Sequence, residues 1–113
     1  MKQKMDPLVT NPDHYSLIFE NSMVRALEFI DQPGETTTPH VHPNSVMVTL
    51  SSFKRRLQAG DMSRDLEFSA GTTSWFPAQQ FAGTNIGDTP THVIYIELKN
   101  SPVDLDRVDL GPV

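Results

Sequence analysis

Cysteine is absent from the 113 residues. Disulfides, thiolate catalysis and cysteine-based zinc sites are therefore excluded. Basic charge is scarce: 9 lysines and arginines stand against 14 aspartates and glutamates, for a net charge of −5. Nucleic-acid binders carry a basic field that collects phosphates, so nucleic acid is not an expected partner. The one basic cluster, Lys54-Arg55-Arg56, reads as a solvated strand with a salt-bridging face rather than an anion site. No apolar run approaches the roughly 18 residues of a membrane span. No apolar stretch follows Lys2 and Lys4 as it would in a signal peptide. A membrane is thus not an expected partner, and the cytoplasm is the expected compartment.

Helical periodicity is also scarce, and period-2 patterning is common. It predicts strands near 15–20, 23–31, 38–42, 45–51, 53–58, 64–69, 72–77, 80–86 and 91–99. Between them lie turn signals: Pro33-Gly34, Ala59-Gly60-Asp61 and Gly87-Asp88-Thr89-Pro90. Short strands with frequent turns imply one all-β sandwich or barrel. Residues 1–14 read as an N-terminal segment and 15–99 as the barrel. The polar tail, 100–113, reads as flexible or as an arm on a partner subunit, with flexibility favoured by its composition.

His40 and His42 are two apart, so on a strand they share a face. If that strand runs on unbroken, Val46, Val48 and Leu50 share it too, which marks the face as interior. Imidazoles looking into an apolar lining suit metal ligation or acid–base work, or hydrogen bonding at a barrel rim. Two are too few for a stable metal site. On the last strand His92, Ile94, Ile96 and Leu98 share the more apolar face, which is therefore expected inward. His92 would then be a third ligand or proton carrier, or a histidine hydrogen-bonded near the strand end. Tyr95, Glu97 and Arg25 are expected outward or at an interface. Trp75 and Phe76 have opposite faces, so one of them meets the cavity. The expected pocket lining is Val46, Val48, Trp75, Phe81 and Ile94. His14 reads as structural or exposed.

Gly34 is followed by five residues and then His40-Val41-His42, and Gly71 by five residues and then Pro77. Asn85-Ile86-Gly87-Asp88-Thr89-Pro90 closes a hairpin, and Val24-Arg25-Ala26-Leu27-Glu28 leads in to Pro33-Gly34. In order and separation these resemble the two motifs of the small single-domain cupins, RmlC-like jelly rolls, over about residues 15 to 99. The resemblance implies an antiparallel double-stranded β-helix, often dimeric, here with the strand near Tyr15–Glu20 at the interface. It also implies a divalent metal such as Zn, Ni, Fe or Mn, with His40 and His42 as its first two ligands. The family's glutamate falls on Val46 or Met47 and its last histidine on Phe81, so two ligands are missing; Gln79 and Gln80 lie beside the vacated position. The functional expectation is a small-molecule pocket inside the barrel over an incomplete two-histidine metal site. The alternatives are a cupin isomerase, cyclase, lyase or dioxygenase using His40 and His42, and a non-catalytic accessory or sensor protein acting as a homodimer.

Overall fold

The computed structural model describes residues 4–102 and 110–113. A four-residue helix, α1 (Pro7–Thr10), precedes nine strands: β1 (Tyr15–Glu20), β2 (Val24–Asp31), β3 (His40–His42), β4 (Ser45–Thr49), β5 (Phe53–Ala59), β6 (Met62–Phe68), β7 (Thr73–Phe76), β8 (Gln79–Asn85) and β9 (Thr91–Leu98). They form two antiparallel sheets facing each other, ordered β1-β2-β9-β4-β7 and β3-β8-β5-β6. The expected all-β architecture is what the chain adopts.

Local chemistry explains the path. In β5, Phe53, Arg55 and Leu57 are buried while Lys54, Arg56 and Gln58 are exposed, the alternation of a strand with one wet face. Ala59 pairs with Met62, which leaves a two-residue loop whose first residue, Gly60, has φ of +58°. Glycine takes that angle without a Cβ clash, so the hairpin closes tightly there. The core between the sheets holds Leu27, Phe29, Met47, Phe53, Phe76 and Val93, all buried. Full burial of each such side chain stabilises by about 1.5–3 kcal/mol.

One corner decides which faces point inward. Pro43 cannot donate to a ladder, so β3 stops at His42 and the chain crosses from one sheet to the other through Pro43-Asn44. Asn44 holds this corner: its Oδ1 accepts from Ala78 N at 2.8 Å, and its carbonyl accepts from Leu98 N at 2.9 Å. The corner changes the phase. His40 and His42 point in, but on β4 it is Ser45, Met47 and Thr49 that point in, with Val46 and Val48 half-buried on the outer face.

The C-terminal residues join the edge strands β6 and β7. Arg64 Nη1 donates to Leu110 O at 2.9 Å, and Val113 N donates to Trp75 O at 2.8 Å. Gln79 clasps Gly111 from both sides: Gly111 N donates to its Oε1 at 2.7 Å, and its Nε2 donates to Gly111 O at 3.2 Å. The reading of 100–113 as flexible falls partly on 103–109, which lie outside the described residues. Leu110 and Gly111 are buried.

Candidate functional site

Two polar clusters are buried between the sheets. The first is built on β3. His40 and His42 have no exposed surface, and their rings meet edge to face with centroids 5.1 Å apart. Each ring is tethered through Nδ1, His40 to Thr38 O at 2.7 Å and His42 to Glu97 Oε2 at 3.0 Å. A carbonyl and a carboxylate only accept, so both Nδ1 atoms carry protons; Asn11 Nδ2 also lies 3.4 Å from His40 Nδ1. The two Nε2 atoms converge on Tyr15 Oη, at 3.1 Å each. Behind His42 the chain of contacts runs outward: Arg25 Nε donates to Glu97 Oε1 at 2.8 Å, and Arg25 Nη1 donates to Asp6 Oδ2 at 2.7 Å. Asp6 also caps α1 by accepting from Leu8 N at 2.8 Å.

Aromatic rings close the rest of this cluster. Tyr95 stacks on His42 with centroids 4.2 Å apart, and Phe81 lies 4.7 Å from His40. Such surroundings disfavour charge. Burial, reinforced by the neighbouring His42, lowers the pKa of His40 to about 3. Burial pushes the Tyr15 hydroxyl well above its usual value, with Tyr95 adding to the shift, and takes Tyr95 to about 12. Burial alone would lower Arg25, but its bonds to Asp6 and Glu97 outweigh that and raise it.

The second cluster is built on β5. Arg55 Nη1 donates to Asp31 Oδ2 at 2.6 Å and to Thr91 Oγ1 at 3.3 Å. Asn85 Nδ2 donates to Asp31 Oδ1 at 3.2 Å. The guanidinium lies 4.8 Å over the Phe29 ring. It fits because residue 83 is glycine: a Cβ there would come within 2.8 Å of Arg55 Nε. Beside this cluster is an internal void of about 20 Å³, bordered by Arg55, Phe29, Phe53, Phe68, Tyr95 and, from the C-terminal segment, Pro112, among others. That is room for about one water molecule. His40, His42 and Tyr15 do not border it.

No protein-family model matches the chain, and no curated protein matches it. Solved structures do. A cupin domain from Bordetella pertussis matches with a TM-score of 0.70 at 23% identity, over 75% of this chain and 91% of that one. An RmlC-like cupin with a double-stranded β-helix fold from Methanocaldococcus jannaschii matches with a TM-score of 0.60 at 12% identity, over 74% of this chain and 77% of that one. This chain has the cupin fold. An uncharacterized conserved protein with a double-stranded β-helix domain from Klebsiella pneumoniae is also similar, with a TM-score of 0.58 at 22% identity, over 77% of each chain.

Against this cupin frame, several expected positions are corrected. Val46, Val48 and Ile94 are half-buried on the outer face of the five-stranded sheet, and Trp75 there is 39% exposed; Leu50 is exposed as well. Phe76, not Trp75, points in, and Phe81 points in as expected. His92 also faces outward, opposite Ile30, where its Nε2 lies 2.7 Å from Glu28 Oε2. It is therefore not beside His40 and His42. The inward face of β9 is Thr91, Val93, Tyr95 and Glu97, the face that polarity had assigned to solvent. Relative apolarity failed because the outer face of this sheet is itself aliphatic, while the inner face carries hydrogen-bonded polar groups. His14 Nδ1 lies 3.1 Å from Ile30 O, a structural position. Lys54 and Arg56 pair with Glu67 and Asp65 on the surface, as a solvated strand should, but Arg55 between them is buried.

Sequence reasoning missed Tyr15, Glu97, Arg25, Asp31 and Arg55. For Arg55 a signal existed: its parity with Phe53 and Leu57 places an arginine on an apolar face. Buried charges occur in pairs, so a lone charge at an inward position asks for its partner.

The residues at His40 and His42 do not fit a resident divalent cation. The point where the two Nε2 atoms converge is filled by the Tyr15 hydroxyl. The flanks are the carbon faces of Phe81, Phe76 and Tyr95. No group of three or more histidine, cysteine, aspartate or glutamate side chains suited to a metal occurs among the described residues.

Proposed function

We propose that this cupin binds an uncharged, largely apolar small molecule inside its barrel, at the Arg55 end rather than at the histidines. The supporting observation is the void beside Arg55 and Thr91, whose walls are otherwise aromatic and aliphatic. A ligand pocket usually combines apolar walls with a few placed polar groups. Arg55 and Asp31 already neutralise each other. An ionised ligand would bring an uncompensated charge into a dry interior, at a cost of several kcal/mol. A neutral molecule with one acceptor, such as a ketone, aldehyde or amide, adds none. At about 20 Å³ the void must enlarge to admit it. The wall that would move in this reading is the C-terminal end, which contributes Pro112.

The test is a thermal-shift screen of neutral aromatic ketones, aldehydes and amides against their matched carboxylates. The neutral series should raise the melting temperature more, and Leu66→Trp, which fills the void from its rim, should remove the response. If neither series moves folded wild-type protein, the reading is wrong.

The partner in this reading is a second copy of the chain, seated on the outer face of the five-stranded sheet. There Val46 pairs with Ile96 and Trp75, and Val48 with Ile94. Phe19 and Ile30 extend the patch, 46% and 39% exposed. An apolar face of this kind, interrupted by the His92–Glu28 pair, suits an interaction surface. Light scattering should give twice the chain mass, and Ile96→Glu should return it to the chain mass. Wild type at the chain mass over a wide concentration range would sink the proposal.

A further inference from the structure

The tethering of His40 and His42 is that of metal-ligating histidines. Each Nδ1 is fixed by an acceptor, Thr38 O or Glu97 Oε2, and Glu97 is itself oriented by Arg25. Such tethers are what hold ligating imidazoles in tautomer and direction. The two Nε2 atoms then aim at one point, and the Tyr15 oxygen stands there. We propose that the Tyr15 hydroxyl takes the place of a cation at this pair, so that the chain carries a latent divalent-metal site held shut by its own side chain.

Chain connectivity accounts for the placement. Tyr15 opens β1 and is registered against Phe29 of β2, which sets its ring among Phe29, Tyr95 and the two imidazoles. A phenol brings two properties that the site needs: it is neutral, and it offers a hydrogen-bonding atom at the end of an apolar body. It is an incomplete replacement. A cation can take both Nε2 atoms as ligands at once, whereas one hydroxyl proton serves only one Nε2 at a time. Removing the phenol therefore leaves two preoriented donors with no partner and space for an ion with its waters.

As an actual ligand Tyr15 would have to ionise, and its burial against the Phe29 and Tyr95 rings opposes that. The two roles predict opposite outcomes. Cobalt(II) is titrated at fixed neutral pH into wild type, His40→Ala, Tyr15→Ala and Tyr15→Phe, followed by calorimetry and by visible absorption. Wild type should show no binding that His40→Ala removes. Tyr15→Ala should gain at least tenfold in affinity over wild type, with ligand-field bands that saturate at one equivalent and vanish on adding His42→Ala. Tyr15→Phe, which keeps the ring and removes only the oxygen, should gain in the same direction by less, and it decides alone if Tyr15→Ala does not fold. Tight wild-type binding lost on His40→Ala or on Tyr15→Phe would overturn the proposal by making Tyr15 a ligand. Absence of any gain in a folded Tyr15 variant would overturn it by showing that no latent site exists.

Discussion

The two buried polar clusters differ in how they are closed. At the histidine end, six side chains from Asp6 to His40 form one connected line, and beyond it the Asn11 amide, backbone and aromatic rings close the cluster. At the Arg55 end, a single ion pair with two hydrogen-bonding neighbours faces an unfilled space. Equal burial thus serves two ends. The histidine cluster is saturated and acts as a strut between α1, β1, β2, β3 and β9. The arginine cluster keeps an apolar neighbour with room beside it, the feature on which the proposed ligand site rests.

The sharpest way to break this comparison is to remove one carboxylate from each cluster. Asp31→Ala leaves Arg55 as an unpaired buried cation and should cost about 3–5 kcal/mol in urea unfolding. Glu97→Ala should cost less, because Arg25 keeps Asp6 and its side chain is 11% exposed. Equal losses would mean that the two clusters are held alike.

Acid should find the histidine end first. With His40 held at about 3 in the fold against 6.5 in the unfolded chain, the unfolded state binds the extra proton. Stability is then full above pH 6.5 and falls as the pH drops toward 3, by roughly 2–3 kcal/mol at pH 4.5. His40→Gln should flatten that slope in unfolding curves measured from pH 7 to 4.5. An unchanged slope would assign the acid response elsewhere. A smaller effect is expected from Gly83→Ala, whose new methyl presses on Arg55 Nε. Overpacking of this size costs about 1–3 kcal/mol, and the variant should lose binding of neutral ligands while leaving the histidine end untouched.

How much of this was legible depends on what decided each feature. The strands and the glycine turns follow from period and local φ demands, so they could be read directly. The inward direction of His40 and His42 could be read too, though by an argument that extended their face to Val46, Val48 and Leu50. Pro43-Asn44 breaks that extension, and a corner's effect on phase is set by backbone geometry rather than by residue type. His92 and Ile94 were misplaced for another reason: both faces of the five-stranded sheet are largely apolar, so composition could not choose between them. Tyr15 was invisible because its role depends on β1, an edge of one sheet, meeting β3, an edge of the other, a relation no local pattern carries. Arg25 and Glu97 are opposite charges that sit directly opposite each other in the β2–β9 register, but that register is known only once β9 is placed beside β2.

That β2–β9 register has a consequence for the order in which the molecule can be made. Arg25 and Glu97 are 72 residues apart in the chain, and the middle of the five-stranded sheet is closed by this pairing. During synthesis at about 5–20 residues per second, β1 and β2 wait on the order of 4–14 seconds for their partner to be made. Throughout that interval Leu27 and Phe29, fully covered in the finished fold, have no β9 against which to bury. Contacts this distant in sequence also make folding slow. The nascent chain should therefore be a client for chaperones that shelter apolar strands, and its yield on expression should depend on their supply more than on the stability of the completed barrel.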